Sequence, residues 1–265
     1  MRPIYIRNIT ILGAQSIEKS ISILQVLTPV DAQLLAVEPD YTSIINPVRL
    51  RRMSRIHKMS LYTGIKCIQD AEVETIDAVL IGTAKGSMID TEKFIGDMII
   101  YDEATLNPMP FIASTYNAVN GAIALTTKST VYNQTYVNRG SSFENALLDA
   151  FVFCNENTNK SVNILLGAFE ELTKEYFALK NKLGYWKTNL VNTNLQQGTI
   201  AGEGVVFTTL TNEHLSNSIC IETVDSYFRY NSSFDSEAYI NNTLSKYKVS
   251  LSSFDIVVMG WNGDI

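Results

Sequence analysis

The chain has 265 residues and a formal net charge of −6, with a sequence pI of about 5.0. That acidic balance excludes non-specific nucleic-acid binding, which needs a basic footprint. No run approaches the roughly 18 uncharged apolar residues of a membrane span, and Met1 to Gly13 lacks the regions of a secretory signal, so a cytoplasmic protein without nucleic-acid or membrane partners is expected.

Hydrophobic residues make up 46%, enough for a sizeable core, whereas charged residues are only 18%, below the roughly 25% of soluble domains. Part of the surface is therefore expected to lie under a partner subunit. Cys67, Cys154 and Cys220 are odd in number and widely spaced, which indicates neither a disulfide framework nor a zinc site. No metal or cofactor is expected.

Ile4 to Leu12 alternates apolar and polar residues up to Gly13 and predicts a strand. Ser16 to Ala36 is mixed and reads as one helix broken at Pro29, and Asn46-Pro47 marks a turn. From Arg51, near-helical spacing of Met53, Ile56, Met59, Ile65 and Ile68 predicts a helix. Ile76 to Ile81 then reads as a buried strand closed by Gly82. Arg49, Arg51, Arg52, Arg55 and Lys58 form the dense basic run of the chain.

Phe111 to Leu125 reads as a helix whose small residues permit close packing. Val131 to Asn138 alternates as a two-faced strand: Val131, Asn133, Thr135 and Val137 against Tyr132, Gln134 and Tyr136. A largely apolar helix follows from Ser141, where Ser141-x-x-Glu144 matches a capping box. Val162 to Leu166 predicts a second buried strand before Gly167. Residues 173–198 are polar and Asn- and Lys-rich, a cap or long connection. Strand-like runs at Val205–Leu210 and Ser218–Val224, a helix over Ser236–Lys248 and a strand over Phe254–Met259 complete the chain. The helix-then-strand pattern of 53–82 is weakly repeated at 236–260.

Five segments in order carry a resemblance: RRMSR (51–55), PMPFIASTYNAVNGAIAL (108–125), NILLGAFEE (163–171), GTIAGEGVVF (198–207) and MGWNGD (259–264). Together they resemble the β-ketoacyl-acyl carrier protein synthases of the thiolase superfamily. SFENAL (142–147) looks closest to a divergent bacterial branch, found with aryl-polyene and flexirubin-type pathways, that includes chain-length-factor-like members. The resemblance implies a thiolase-like α/β fold: two related βαβαβ halves with stacked mixed sheets in layers α-β-α-β-α. The first half would be 1–172, the connection 173–198, and 199–265 the start of a second half that looks incomplete.

In the resembling family a cysteine at the N-terminus of a buried helix takes the acyl chain, helped by the helix dipole, and two histidines act on the malonyl unit. Counting back from the matching helix, the nucleophile position falls on Arg139, which cannot be a nucleophile at neutral pH. A cation is disfavoured at a helix N-terminus, so Arg139 is expected to turn toward a carboxylate or a partner chain. The first family histidine has no counterpart in 259–264, the second would lie past Ile265, and His57 and His214 sit in no matching motif.

The resemblance therefore implies a non-catalytic, chain-length-factor-like subunit. Asn138, Arg139, Phe143 and Glu144 would lie at the acyl tunnel and interface, and the strand residues Val131, Tyr132, Asn133, Gln134, Thr135, Tyr136 and Val137 would pair across a homodimer or a heterodimer with an active ketosynthase. The alternative is an acyltransferase or condensing enzyme with displaced chemistry at Ser141 or Ser142, although helix capping accounts for both serines. Arg51, Arg52, Arg55 and Lys58 are candidates for docking an acidic acyl carrier protein, or else form a solvated face with structural ion pairs. Gly202-Glu203-Gly204 lacks the Lys-Ser/Thr of a phosphate loop and reads as tight backbone packing.

Overall fold

The computed structural model describes residues 2–14, 33–187, 198–226 and 235–258. In chain order these form β1 (Ile4–Leu12), β2 (Gln33–Leu34), α1 (Pro47–Leu50), α2 (Arg55–Asp70), β3 (Ala78–Gly82), α3 (Met88–Ile100), α4 (Pro108–Ser114), α5 (Ala118–Thr127), β4 (Tyr132–Tyr136), α6 (Ser142–Glu156), β5 (Asn163–Glu170), α7 (Lys174–Lys182), β6 (Ala201–Gly202), β7 (Gly204–Thr211), β8 (Cys220–Ile221) and α8 (Ser236–Lys246). Residues 16–32 of the helix expected over 16–36, residues 188–197 of the connection, and segment 259–264 lie outside the described residues.

Six strands make one mixed sheet in the order β4-β3-β5-β7-β1-β8. β3 pairs in parallel with both β4 and β5. β7 runs antiparallel to β5 and to β1, so β1 points the same way as β3, β4 and β5. The segment read as opening a second half, from residue 199, thus places β7 in the interior of this sheet. β2 and β6 form a separate two-residue parallel pair, so the far end of the helix expected over 16–36 is strand.

Both faces of the sheet are covered, which is why β3 and β5 read as continuous apolar runs rather than alternating ones. Side chains still alternate by face. Val79, Ile81, Leu165, Phe169, Val205 and Phe207 pack with α2 and α5. Ala78, Leu80, Ile164, Leu166 and Leu210 pack with Ala146, Ala150, Phe151 and Cys154 of α6. Gly167 leaves room on the first face: a Cβ there would stand 2.3 Å from the Phe207 ring.

Several boundaries differ from the sequence reading, each for a local reason. α2 begins at Arg55 rather than Arg51, because Asn46 caps α1, with Pro47 at its first position, and Ser54 is extended. The expected helix 111–125 is two helices. The Ser114 and Thr115 hydroxyls donate to Phe111 O and Ile112 O, competing with the helical ladder, and Thr115 is extended. The strand at 162–166 extends to Glu170, the polar connection contains α7, and the run 218–224 shrinks to β8.

The strand expected over 254–259 does not form within the described residues. Leu251–Ser253 is a 3₁₀ turn, residues 254–258 have no regular structure, and Ile256 and Val258 are 78% and 87% exposed. No described strand lies beside this run to satisfy its backbone groups. Among the described residues, the second copy of the helix–strand repeat therefore forms only its helix.

Candidate functional site at the sheet's C-terminal edge

In open α/β sheets, ligand sites gather beyond the carboxyl ends of the parallel strands. Here that edge holds the turn after β4, the loop after β3, the two acids ending β5, and the residues just before β7. Each is positioned by short-range chemistry.

After β4 the chain passes through Asn138 into a 3₁₀ turn over Arg139–Ser141 and then into α6. Ser142 organises this turn. Its hydroxyl is buried, accepts the Asn138 N–H at 2.8 Å and donates to Arg139 O at 2.7 Å. Ser141 makes no side-chain cap bond to α6, and Glu144 is exposed. The expected Ser141–Glu144 capping box is thus replaced by a cap one residue later that closes backward on the turn. Gly82 permits the close fit, since a Cβ there would lie 2.6 Å from Phe143 N.

Arg139 is exposed and adopts φ +52°, a left-handed conformation uncommon for a residue with a Cβ. Among the described residues it forms no ion pair, so the carboxylate expected for it is not supplied there.

The loop after β3 is tied to the end of β5. Glu170 accepts from Thr83 Oγ1 at 3.0 Å and from the Ala84 N–H, and its Oε2 lies 3.3 Å from Lys85 Nζ. Glu171, 3% exposed, accepts the Ile89 N–H at 2.9 Å. Burial pushes its pKa up to about 7, against the opposing effect of that hydrogen bond. His57, which follows Arg55 in the basic run, is buried: its Nδ1 lies 2.7 Å from Ser54 Oγ and 3.4 Å from Asp90 Oδ2. Both partners meet the same ring nitrogen, so Ser54, His57 and Asp90 cannot relay a proton as a catalytic triad does.

Arg55 is committed within the chain. It makes two hydrogen bonds to Glu203, 2.7 and 2.6 Å, and pairs with Glu38. The Glu203 side chain is fully buried and also accepts the N–H groups of Ala36 and Leu172. Arg51 and Arg52 are exposed, and Lys58 is half-buried. Sequence reading missed the role of Glu203, whose only signal was its place between two glycines.

β4 is an edge strand. Its Tyr132 and Tyr136 hydroxyls both donate to Asp149 Oδ2 of α6, at 3.0 and 2.9 Å, and Tyr132 stacks on Phe153. On the other face Asn120 of α5 donates to Gln134 O and Thr135 Oγ1. These contacts fix both faces of β4 and leave its outer edge unpaired among the described residues.

Burial disfavours the thiolate of both buried cysteines. Burial, and behind it Asp77, pushes Cys154 up to about 12; burial also raises Cys67, whose thiol donates to Phe207 O. Cys220 lies on β8, at the opposite sheet edge from β4, and His214 is in a loop against the Tyr5 ring. Among the described residues no cluster of three or more His, Cys, Asp or Glu side chains is arranged to hold a metal, and no helix is long and apolar enough to cross a membrane.

The family model for the β-ketoacyl synthase N-terminal domain matches residues 30–197, more than half of the chain. No curated protein sequence matches. Among solved structures, similarity is found to a ketosynthase in complex with its chain length factor from Xenorhabdus doucetiae, with 12% identity, a TM-score of 0.55, and coverage of 79% of each chain. The ishigamide ketosynthase/chain length factor gives 14% identity and a TM-score of 0.61 over 79% of this chain and 58% of that one. A type II polyketide acyl-carrier protein in complex with its ketosynthase bound to the hexaketide gives 14% and 0.61, over 79% and 63%. The chain thus spans about three-fifths of the length of these last two. The α/β fold described above is the thiolase-like fold of these structures.

Proposed function

Because the chain belongs to the family of the β-ketoacyl synthase N-terminal domain, we propose that it serves as a chain-length-factor-like subunit in fatty-acid or polyketide-type synthesis. In this reading it pairs with an active ketosynthase, contributes Asn138, Arg139, Phe143 and Glu144 to the acyl tunnel at the shared face, and carries no acyl chain itself. One observation carries the reading: the turn between β4 and α6 is fully built, and it presents Arg139. A guanidinium stays protonated in proteins and has no lone pair to attack a thioester. The Ser142 hydroxyl is turned inward to the backbone, which argues against its use as a displaced nucleophile.

The surface supports a partner chain. β4 offers its outer edge, and long unpaired edge strands invite pairing. On α3 and α4, which pack on each other, Ile99 and Ile100 are 78% and 73% exposed and Phe111 and Ile112 are more than half exposed, an apolar face of the kind that marks interfaces. The ishigamide and Xenorhabdus doucetiae structures are of ketosynthases with chain length factors, the assembly proposed here. Arg51 and Arg52, with Lys58, are proposed to dock an acidic carrier protein, Arg55 instead being held by Glu203.

Co-expression with an active ketosynthase of the same organism is the test. A stable one-to-one complex by size exclusion with mass detection is expected. A chain that stays alone at micromolar concentration, or that pairs only with itself, contradicts the proposal.

A further inference from the structure

The outer edge of β4 is a backbone template whose charges do not suit a copy of itself. The Thr83 N–H, just past β3, donates to Tyr136 O, so the backbone groups of Tyr132, Gln134 and Tyr136 face β3. By alternation those of Asn133 and Thr135 face outward, open to a further strand. Against a second copy of this chain, antiparallel about Gln134, Asn133 would lie opposite Thr135 and Tyr132 opposite Tyr136. The backbone alone therefore admits a self-pair.

The charges beside that edge oppose it. The Tyr132 and Tyr136 hydroxyls converge on Asp149 Oδ2 at 3.0 and 2.9 Å, which seats the carboxylate over the middle of the strand, and Oδ1 accepts no hydrogen bond among the described residues. Residues three and four apart share a helix face. The stripe that continues from Asp149 holds Phe153, stacked on Tyr132, and then the exposed Glu156. Together β4 and α6 carry three acids, Glu144, Asp149 and Glu156, and no lysine or arginine. The flanking cations, Lys128 and Arg139, lie beyond the two ends of the strand. Among the described residues no cation pairs with Asp149. A self-pair would set acid against acid across the axis, and like charges facing each other disfavour strand pairing and association.

We propose that the β4 edge is keyed by charge: it accepts a strand of a different chain that sets a lysine or arginine over Asp149, and it rejects a second copy of this chain. The inference rests on the reading of β4 as the pairing edge and adds the chemistry its partner strand must carry. Oδ1 is the open acceptor for that cation, and a charge-assisted hydrogen bond there is stronger than a neutral one.

A charge swap tests this without any ketosynthase, so its outcome is separate from that of co-expression. Sedimentation equilibrium at low ionic strength compares the native chain, Asp149→Lys, and an equimolar mixture of the two. The mixture is expected to pair about tenfold more tightly than either chain alone, the lower end for close charge pairs across an interface. That advantage should shrink at about 0.5 M salt, where screening is stronger. Asn133→Pro in both chains removes an outward N–H and is expected to abolish the mixed pair. A mixture that pairs no more tightly than the native chain alone, including one that does not pair, overturns the proposal, as does a mixed pair unaffected by Asn133→Pro. Should Asp149→Lys not fold, Asp149→Asn decides, because its amide oxygen still accepts from the tyrosines while the charge is gone. Its self-pairing is expected to be tighter than that of the native chain by about tenfold, and equal self-pairing overturns the proposal.

Discussion

Replacing Glu203 by alanine is expected to cost about 3–5 kcal/mol, the range for breaking a buried ion pair from one side. Its carboxylate has no exposure and accepts from Arg55 twice, from Ala36 N and from Leu172 N. Removal leaves two backbone donors and a guanidinium without their acceptor, each bearing a desolvation penalty. Glu38 still pairs with Arg55, and Arg55 is partly exposed, which places the cost toward the lower end. Urea denaturation should show a lower midpoint at unchanged slope. Glu203→Gln keeps an acceptor for the N–H groups and should lose less. The same substitution unties residues 34–36, α2 and the end of β5 at once, so a midpoint unchanged in Glu203→Ala would mean that Arg55 holds this edge of the sheet through Glu38 alone.

Phe207→Ala is expected to be as damaging, about 3–5 kcal/mol, as for other buried aromatic truncations. The ring is fully buried and is held between two glycines: a Cβ at Gly167 would meet it at 2.3 Å and one at Gly64 at 3.5 Å. The two glycines supply no side chain to fill the hole, and the rest of the core relaxes only in part, so a cavity remains. Phe207→Leu should recover most of the loss. Thermal unfolding of the three chains in parallel checks this, and a loss below about 1 kcal/mol for Phe207→Ala would show that α2 can settle onto β5 after all.

What was legible in the sequence follows from what buries it. β3 and β5 were readable because both their faces are covered and their composition has no polar side to confuse the period. α6 was readable from its run of apolar residues, of which Ala146, Ala150, Phe151 and Cys154 form the buried side. α3 was missed because it inverts the usual pattern: its Asp90 points inward and its isoleucines point out, so no apolar stripe marks a core-facing side. The Ser141–Glu144 pattern was correct as sequence and unused in the structure, since Ser142 closes the turn that Gly82 allows. Arg55 was visible as one member of a basic run, but its partner Glu203 is 148 residues away, and no local signal links the two. Arg139 was legible as a residue at a position, and its left-handed backbone was not.

Intact-protein mass after incubation with an acyl carrier protein thioester is the most direct test of the proposal that Arg139 leaves this chain unacylated. Beside an active ketosynthase that gains the acyl mass under the same conditions, this chain is predicted to keep its unmodified mass. A stoichiometric acyl adduct on this chain would contradict the account, and peptide mapping would then place the nucleophile.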